Sequence, residues 1–290
     1  MKYLIFSLRP KHWVKNLFIF FPLIFGKKLF FFADMINASM AFLIFSLASG
    51  VVYLVNDIID IKNDRIHPTK RLRPIASGKV KLREAKILAF VVAVVSIVSS
   101  FYLNVNFGLV IISYFTLNFI YSKYLKKEVI IDVFCISIFF LLRILAGCVV
   151  AEIVMSHWII IVIILLALFL GFNKRRQELR ILEHKAALHR QVLARYDTYF
   201  IDQTIAVITP SLVVAYTLYT VDARTIKEFG SSHLLYSIPF VYYGIFRYLY
   251  LIHRLHVDGD PVRILFSDRK LRITLLLWVI VCVVVIYFGI

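Results

Sequence analysis

Apolar residues run along this chain in long blocks, and polar residues gather in the gaps between them. The blocks fall near residues 17–33, 39–58, 86–103, 105–121, 130–150, 157–173, 203–221, 234–252 and 273–290. Most are close to the roughly 20 residues that an α-helix needs to cross a bilayer. The pattern predicts nine spans, with the short polar break Asn104-Val105-Asn106-Phe107-Gly108 read as a tight turn between two of them. The predicted architecture is an all-α, polytopic membrane helical bundle forming one domain over residues 1–290.

Composition agrees with this reading. The 290 residues are 61% hydrophobic and 16% aromatic, and a soluble domain of this length would need far more polar surface. No cleavable signal peptide is expected, because the first apolar block begins after Lys15 and shows no small-residue cleavage site before Gly26. Cys135, Cys148 and Cys282 lie in apolar blocks without metal-ligand spacing and read as packing residues.

The net charge of +17 raises the question of nucleic acid, and its placement argues against that partner. The N-terminus and the gaps near 59–86, 122–129, 174–202 and 253–272 hold 28 of the 34 Lys and Arg. The intervening gaps hold only Lys27, Lys28, Arg224 and Lys227. Such alternation follows the positive-inside rule for an odd number of spans, which predicts a cytoplasmic N-terminus in a cell membrane, with membrane lipids as surroundings. Small-residue interface patterns are not distinctive, so a homo-oligomer is left open.

The same side holds 13 of the 17 acidic residues, and topology does not require them there. At roughly 100° per residue, Asn56, Asp57, Asp60 and Asp64 share about a quarter turn of one helix. Carboxylates stacked at the end of an apolar helix repel one another unless a divalent cation neutralises them. Mg2+ suits a site with a few carboxylates, waters and substrate phosphate oxygens, so Asp57, Asp60 and Asp64 are candidate metal ligands. The plain alternative is a solvated helix end with salt bridges to Lys62 and Arg65. The basic run that follows, from His67 through Lys70, Arg71 and Arg73 to Gly78, contains two prolines and a glycine that fix loop geometry. A fixed loop suits arginine forks that hold phosphate; the alternative is a headgroup anchor.

These residues resemble the UbiA superfamily of intramembrane prenyltransferases, whose first aspartate-rich motif, NDxxDxxxD, is matched by Asn56, Asp57, Asp60 and Asp64. A closer resemblance is to the decaprenyl-phosphate phosphoribosyltransferase branch. Arg9-Pro10-Lys11-His12-Trp13-Val14-Lys15-Asn16 is similar to its RPxxWVKN, and residues His67 to Gly78 are similar to its HPxKRxRPIASG. Tyr121-Ser122, Leu125-Lys126 and Asp132-Val133 resemble YSxxLKxxxxxDV, and Lys174 to Leu179 resembles KRxxEL. Gly244 to Tyr248 and Asp258 to Pro261 resemble its C-terminal pattern, so the likeness covers nearly the whole chain.

The resemblance implies a UbiA-like bundle with one cavity opening at the cytoplasmic face. It implies Mg2+-dependent transfer of 5-phosphoribose from phosphoribosyl diphosphate to a polyprenyl phosphate, feeding cell-envelope arabinan precursors. Asn56, Asp57, Asp60 and Asp64 become the implied catalytic and metal residues. Lys15, His67, Lys70, Arg71, Arg73, Tyr121, Lys126, Lys174, Arg175 and Glu178 become the implied phosphate-binding set.

Prenyltransferases of the superfamily carry a second aspartate-rich motif on the sixth span. This chain has Asn173-Lys174-Arg175-Arg176-Gln177-Glu178 at the corresponding place, with one acid and three cations. That departure suits a lipid monophosphate better than an uncharged aromatic acceptor; for the residues alone, a positive-inside stop is the alternative. A prenyltransferase with an aromatic acceptor, a transporter of phosphorylated lipid or sugar, and a scaffold protein are the competing readings. Asp132 reads either as a helix N-terminal charge or as part of the site. Arg143 and Arg247, inside apolar blocks, read as paired structural cations. The segment around Gln177–Arg195 reads as an amphipathic interfacial helix.

Overall fold

The structure is a computed structural model, and it describes residues 2–66, 70–182, 191–255 and 261–289. Among the described residues there is no strand. Eight long helices follow one another: α1 (Phe32–Ile59), α2 (Leu82–Leu103), α3 (Val105–Lys123), α4 (Ile131–Val150), α5 (His157–Leu182), α6 (Thr198–Val221), α7 (Ile238–Leu255) and α8 (Arg269–Phe288). Among the described residues, seven helices, all of these except α7, are long and apolar enough to cross a membrane. The protein is therefore an integral membrane protein.

Two expected spans take other forms. The block at 17–33 is divided among a 3-10 helix (Pro10–Phe20), a short α-helix (Phe21–Phe25) and the start of α1. A 3-10 run of that length is uncommon. Arg9, at a left-handed φ of 52°, and Pro10 at its first position set its start. The block at 234–252 becomes a 3-10 turn (His233–Ser237) followed by α7. The break at 104–108 is sharper than expected. Asn104 alone is extended, and its side chain accepts a hydrogen bond from the Phe107 amide to cap α3.

The chain divides into two compact units, Met1–Leu125 with Leu142–Ile153, and Lys126–Leu141 with Val154–Ile290. In the first, α1 packs against α2 and the opening 3-10 helix. Leu8, Leu54, Ile75, Val80, Ala85 and Ala89 form a core beneath the acidic end of α1. Gly147 allows one close approach: a Cβ there would lie 2.0 Å from the Ile19 carbonyl oxygen. In the same unit, Arg143 donates from Nε to Asn16 Oδ1 at 2.8 Å and lies over the Phe45 and Tyr114 rings. Asn16 in turn donates to Ser46 and Ser49. This buried polar cluster answers how an arginine is tolerated inside an apolar block.

In the second unit, α5 packs along α6. Phe169, Phe172, Ile201, Ile205, Leu212 and Ile252 belong to its core, which Val192 and Tyr196 complete from the connecting segment. Arg247 on α7 pairs with Asp268 at 2.7 Å, as expected of a structural cation.

Candidate functional site

In the first unit the site is built at the end of α1. The helix stops at Ile59, Asp60 takes the cap position, and a short helix (Ile61–Ile66) begins at once. The expected single helical arc is therefore interrupted. Backbone bonds from Asp60 to Asn56 and from Asp64 to Asp60 nonetheless keep the helical succession. Asp57 and Asp64 turn inward and are buried, at 3% and 2% exposure. Asn56 turns to α3, where Ser122 Oγ donates to its Oδ1 at 2.8 Å.

Two arginines close on the acids. Arg73 Nη1 lies 3.0 Å from Asp57 Oδ1 and 2.6 Å from Asp64 Oδ2. Arg9 Nη2 lies 2.5 Å from Asp57 Oδ1, with its guanidinium over the Tyr53 ring. The loop that delivers Arg73 is anchored rather than loose. Ile75 and Val80 plug the core beneath it, and the Val80 amide donates to the Pro74 carbonyl at 3.0 Å. Gly78 supplies the left-handed φ of 77° that turns the chain back. Lys70 and Arg71 lie on the same loop, in the turn Lys70–Leu72, half-buried and exposed respectively.

The donor set fits a hard divalent cation. Two carboxylate oxygens converge on one point, where a guanidinium nitrogen sits, and Mg2+ binds one or two carboxylates and fills its other positions with water and phosphate. The three-carboxylate cluster expected from the sequence is a different matter. Among the described residues, no three His, Cys, Asp or Glu side chains converge as metal ligands do. Asp57 and Asp64 come together, and Asp60, at the cap, is half-buried. The physical reason is charge balance, because the buried pair is neutralised by Arg9 and Arg73. Arg9 belongs to the N-terminal pattern Arg9–Asn16, which by itself assigns it no partner. The signal available was the balance itself, since two carboxylates beside an apolar run need two cations.

Lys15 lies half-buried on the opening 3-10 helix, and Tyr121 half-buried on the last turn of α3. His67, with Pro68 and Thr69, lies outside the described residues, as do Asp258, Gly259 and Asp260.

In the second unit, the end of α5 carries the other cluster. Arg175 is 1% exposed, and its Nε donates to Asp132 Oδ2 at 2.7 Å. Its Nη1 donates to Glu178 Oε2 at 2.5 Å. Asp132, fully buried, accepts a second bond from the Tyr196 hydroxyl at 2.7 Å. Arg176 is paired with Asp202. Arg175 and Glu178, both expected to bind phosphate, here pair with each other, and Arg175 pairs also with Asp132. They form, with Asp132, an internal ionic strut, because a buried guanidinium must be paired and these two carboxylates supply the pairing. Lys174 is half-buried beside that strut, and Lys126 lies half-buried in the turn Leu125–Lys127. Burial and the hydrogen bond to the Asp132 carboxylate push the Tyr196 phenol well above its ordinary range, so it stays a donor.

Comparison with known proteins gives the family. Residues 19–266 match the UbiA prenyltransferase family. A decaprenyl-phosphate phosphoribosyltransferase of Mycolicibacterium smegmatis is 34% identical, with 99% of this chain and 93% of that protein aligned. The protein of the same name from Mycobacterium tuberculosis is 32% identical over 98% of this chain and 94% of its own length. Among solved structures, a UbiA homologue from Archaeoglobus fulgidus bound to DMAPP and Mg2+ aligns at a TM-score of 0.71, 19% identity and 99% coverage of both chains. That likeness shows the fold.

Proposed function

Because the chain belongs to the UbiA prenyltransferase family, we propose that it transfers 5-phosphoribose from phosphoribosyl diphosphate to a polyprenyl phosphate. It is a membrane transferase akin to the decaprenyl-phosphate phosphoribosyltransferases. One observation carries the choice of substrates. Asp57 and Asp64 converge on a single cation, while the one acid at 173–178 pairs with Arg175. Among the described residues, the end of α1 thus offers an acidic place for a metal-bound diphosphate, and the end of α5 carries Lys174 for an anion.

In the proposed reaction the bond from ribose C1 to the diphosphate oxygen breaks, and its electron pair leaves with the diphosphate. A lipid phosphate oxygen attacks C1 from the opposite face and forms the new bond. C1 becomes oxocarbenium-like between the two, by analogy with glycosyl transfer. Asp57 and Asp64, with Asp60, would hold Mg2+, which supplies charge neutralisation for the leaving diphosphate. Arg73 and Arg9 balance the acids and lie within reach of the same anion; Lys70, Arg71 and His67 extend that anion site. Lys174, with Lys126, holds the lipid phosphate; in the first unit Lys15 and Tyr121 are further phosphate-binding candidates. The lipid phosphate is already an anion at neutral pH, so no strong general base is needed.

The topology belongs to the same proposal: nine crossings within a single domain, the N-terminus cytoplasmic, and the chemistry on the cytoplasmic side of the cell membrane. Of the two blocks outside the seven long apolar helices, the one at 234–252 supports this: α7 rises about 27 Å, close to the roughly 30 Å hydrocarbon thickness. The lipid-linked phosphoribose would serve as an arabinan precursor of the cell envelope.

The test is purified protein with Mg2+, labelled phosphoribosyl diphosphate and polyprenyl phosphate, beside a parallel reaction with a prenyl diphosphate and an aromatic acid. Labelled phosphoribosyl lipid, formed only with a divalent metal, is the expected result. Product from the prenyl reaction alone would move the protein to the aromatic prenyltransferases.

A further inference from the structure

One residue of the second unit connects features that the proposed reaction leaves unused. Tyr196 follows the turn Gln191–Arg195, whose Val192 and Leu193 are buried in the unit's core. Its hydroxyl accepts a hydrogen bond from the Ile130 amide at 2.7 Å and donates one to Asp132 Oδ1 at 2.7 Å. The other Asp132 oxygen holds Arg175, and Arg175 holds Glu178. A single phenol therefore joins the turn ahead of α4 to the end of α5. Arg195 adds a contact to the same turn, from Nη1 to the Lys127 carbonyl oxygen at 3.3 Å.

The turn is strained where the phenol grips it. Ile130 has φ 70°, a left-handed conformation that a β-branched residue rarely adopts. Such strain persists only where the surroundings over-determine it, and it gathers at functional sites. The Ile130 side chain is 39% exposed, so its own packing does not account for the conformation. The same residue donates its amide to Tyr196.

The two elements held in this way carry the two lysines of the unit's anion set. Lys126 lies in the turn Leu125–Lys127, and Lys174 precedes the buried Arg175 on α5. The geometry points to Tyr196 as a positioning residue: through Ile130 and the Asp132–Arg175 pair it holds Lys126 and Lys174 in the arrangement that receives the lipid phosphate. This rests on the proposed reaction and deepens it. The phenol touches no substrate. It sets the places of two cations that do, which binding of a monoanionic or dianionic headgroup requires before the lipid arrives.

The experiment measures saturation curves for both substrates, together with thermal midpoints, for wild type, Tyr196→Phe and Ile130→Gly. Tyr196→Phe leaves a buried carboxylate oxygen and an amide short of one partner. The half-saturating polyprenyl phosphate concentration is expected to rise about tenfold, the size of one lost buried hydrogen bond. The value for phosphoribosyl diphosphate should stay within about twofold. Ile130→Gly is the control: it keeps the amide that bonds Tyr196 and tolerates φ 70°, so its requirement for polyprenyl phosphate should stay within about twofold of wild type. A rise confined to the lipid substrate in Tyr196→Phe, with the phosphoribosyl diphosphate value in place, is what a general loss of stability would not give. If Tyr196→Phe does not fold, Tyr196→His, which keeps a donor toward Asp132, decides by the same comparison. An unchanged lipid requirement in the folded Tyr196 variants, or equal shifts for both substrates, overturns the positioning role while an active wild type leaves the reaction standing. A wild type that makes no phosphoribosyl lipid removes both.

Discussion

The two acidic centres use arginine in opposite ways. In the first unit, Asp57 and Asp64 are buried, but Arg9 and Arg73 reach them from partly open positions, with side chains 21% and 26% exposed. In the second unit, both members of the Asp132–Arg175 pair are buried, and the pair is closed further by Glu178 and Tyr196. Arginines that retain access to solvent can trade a carboxylate for an incoming phosphate. An arginine sealed with its carboxylates can only hold elements in place, because separating the pair exposes uncompensated charge in an apolar interior. Under the proposed function, the first centre binds and the second braces.

Variants can break or sharpen this contrast. The largest effect is expected from Arg175→Ala, which strands Asp132 in the core. Breaking a buried pair in this way costs about 3–5 kcal/mol, read as a large fall in thermal midpoint or in folded yield. A variant as stable as wild type would erase the distinction. Asp57→Asn should retain folded yield but lose transfer activity by on the order of a hundred- to a thousandfold, the scale seen when a group serving developing charge is removed. Near-normal turnover would take the metal role away from the first unit. Arg73→Gln should be milder. Thermal midpoint should fall, because two buried carboxylates lose a cation, but by less than for Arg175→Ala, since Arg73 itself is partly open to solvent. The requirement for phosphoribosyl diphosphate should rise about tenfold, as for one charge-assisted bond.

The smallest expected effect concerns Asp268, a pair that only braces. Its carboxyl is held below the ordinary carboxylate value of 3.8 by the hydrogen bond from Arg247 and by the Leu271 amide that it caps. A lowered value means that its stabilisation is complete above that ordinary value and disappears as pH falls through the folded-state value. Asp268→Asn should therefore lower the thermal midpoint slightly at pH 7, by no more than about 1 kcal/mol for a cap that Asn partly replaces. The gap should close on acidification. A gap that widens as pH falls would contradict the pairing.

Much of this was legible in the sequence. The apolar blocks located all seven of the long apolar helices, because a bilayer-length helix declares itself by run length alone, but α1 starts seven residues before its block and α5 runs nine residues past its own, where polar residues extend the helix. The turn at Asn104 was visible as a polar break, and Arg247 as a cation needing a partner. The 3-10 form of Pro10–Phe20 was not legible. It depends on the left-handed Arg9 and on how closely Gly147 lets α4 approach Ile19, neither of which composition records. In the site, the acidic motif was readable, while the direction of each cation was not. Arg71 and Arg73 are two residues apart and read alike, yet the plug formed by Ile75 and Val80 aims only Arg73 at the acids. Likewise, Lys174 and Arg175 are adjacent, and only burial against Asp132, 43 residues away, separates their roles. Tyr196 carried no signal beyond being an aromatic residue in a charged segment.

The division of labour between the units is tested most directly by crossed saturation curves for Lys70→Ala and Lys174→Ala in the same transfer assay. Lys70→Ala is expected to raise the half-saturating concentration of phosphoribosyl diphosphate and leave that of polyprenyl phosphate in place. Lys174→Ala is expected to do the reverse. Equal shifts for both substrates in both variants, or no shift in either, would contradict it.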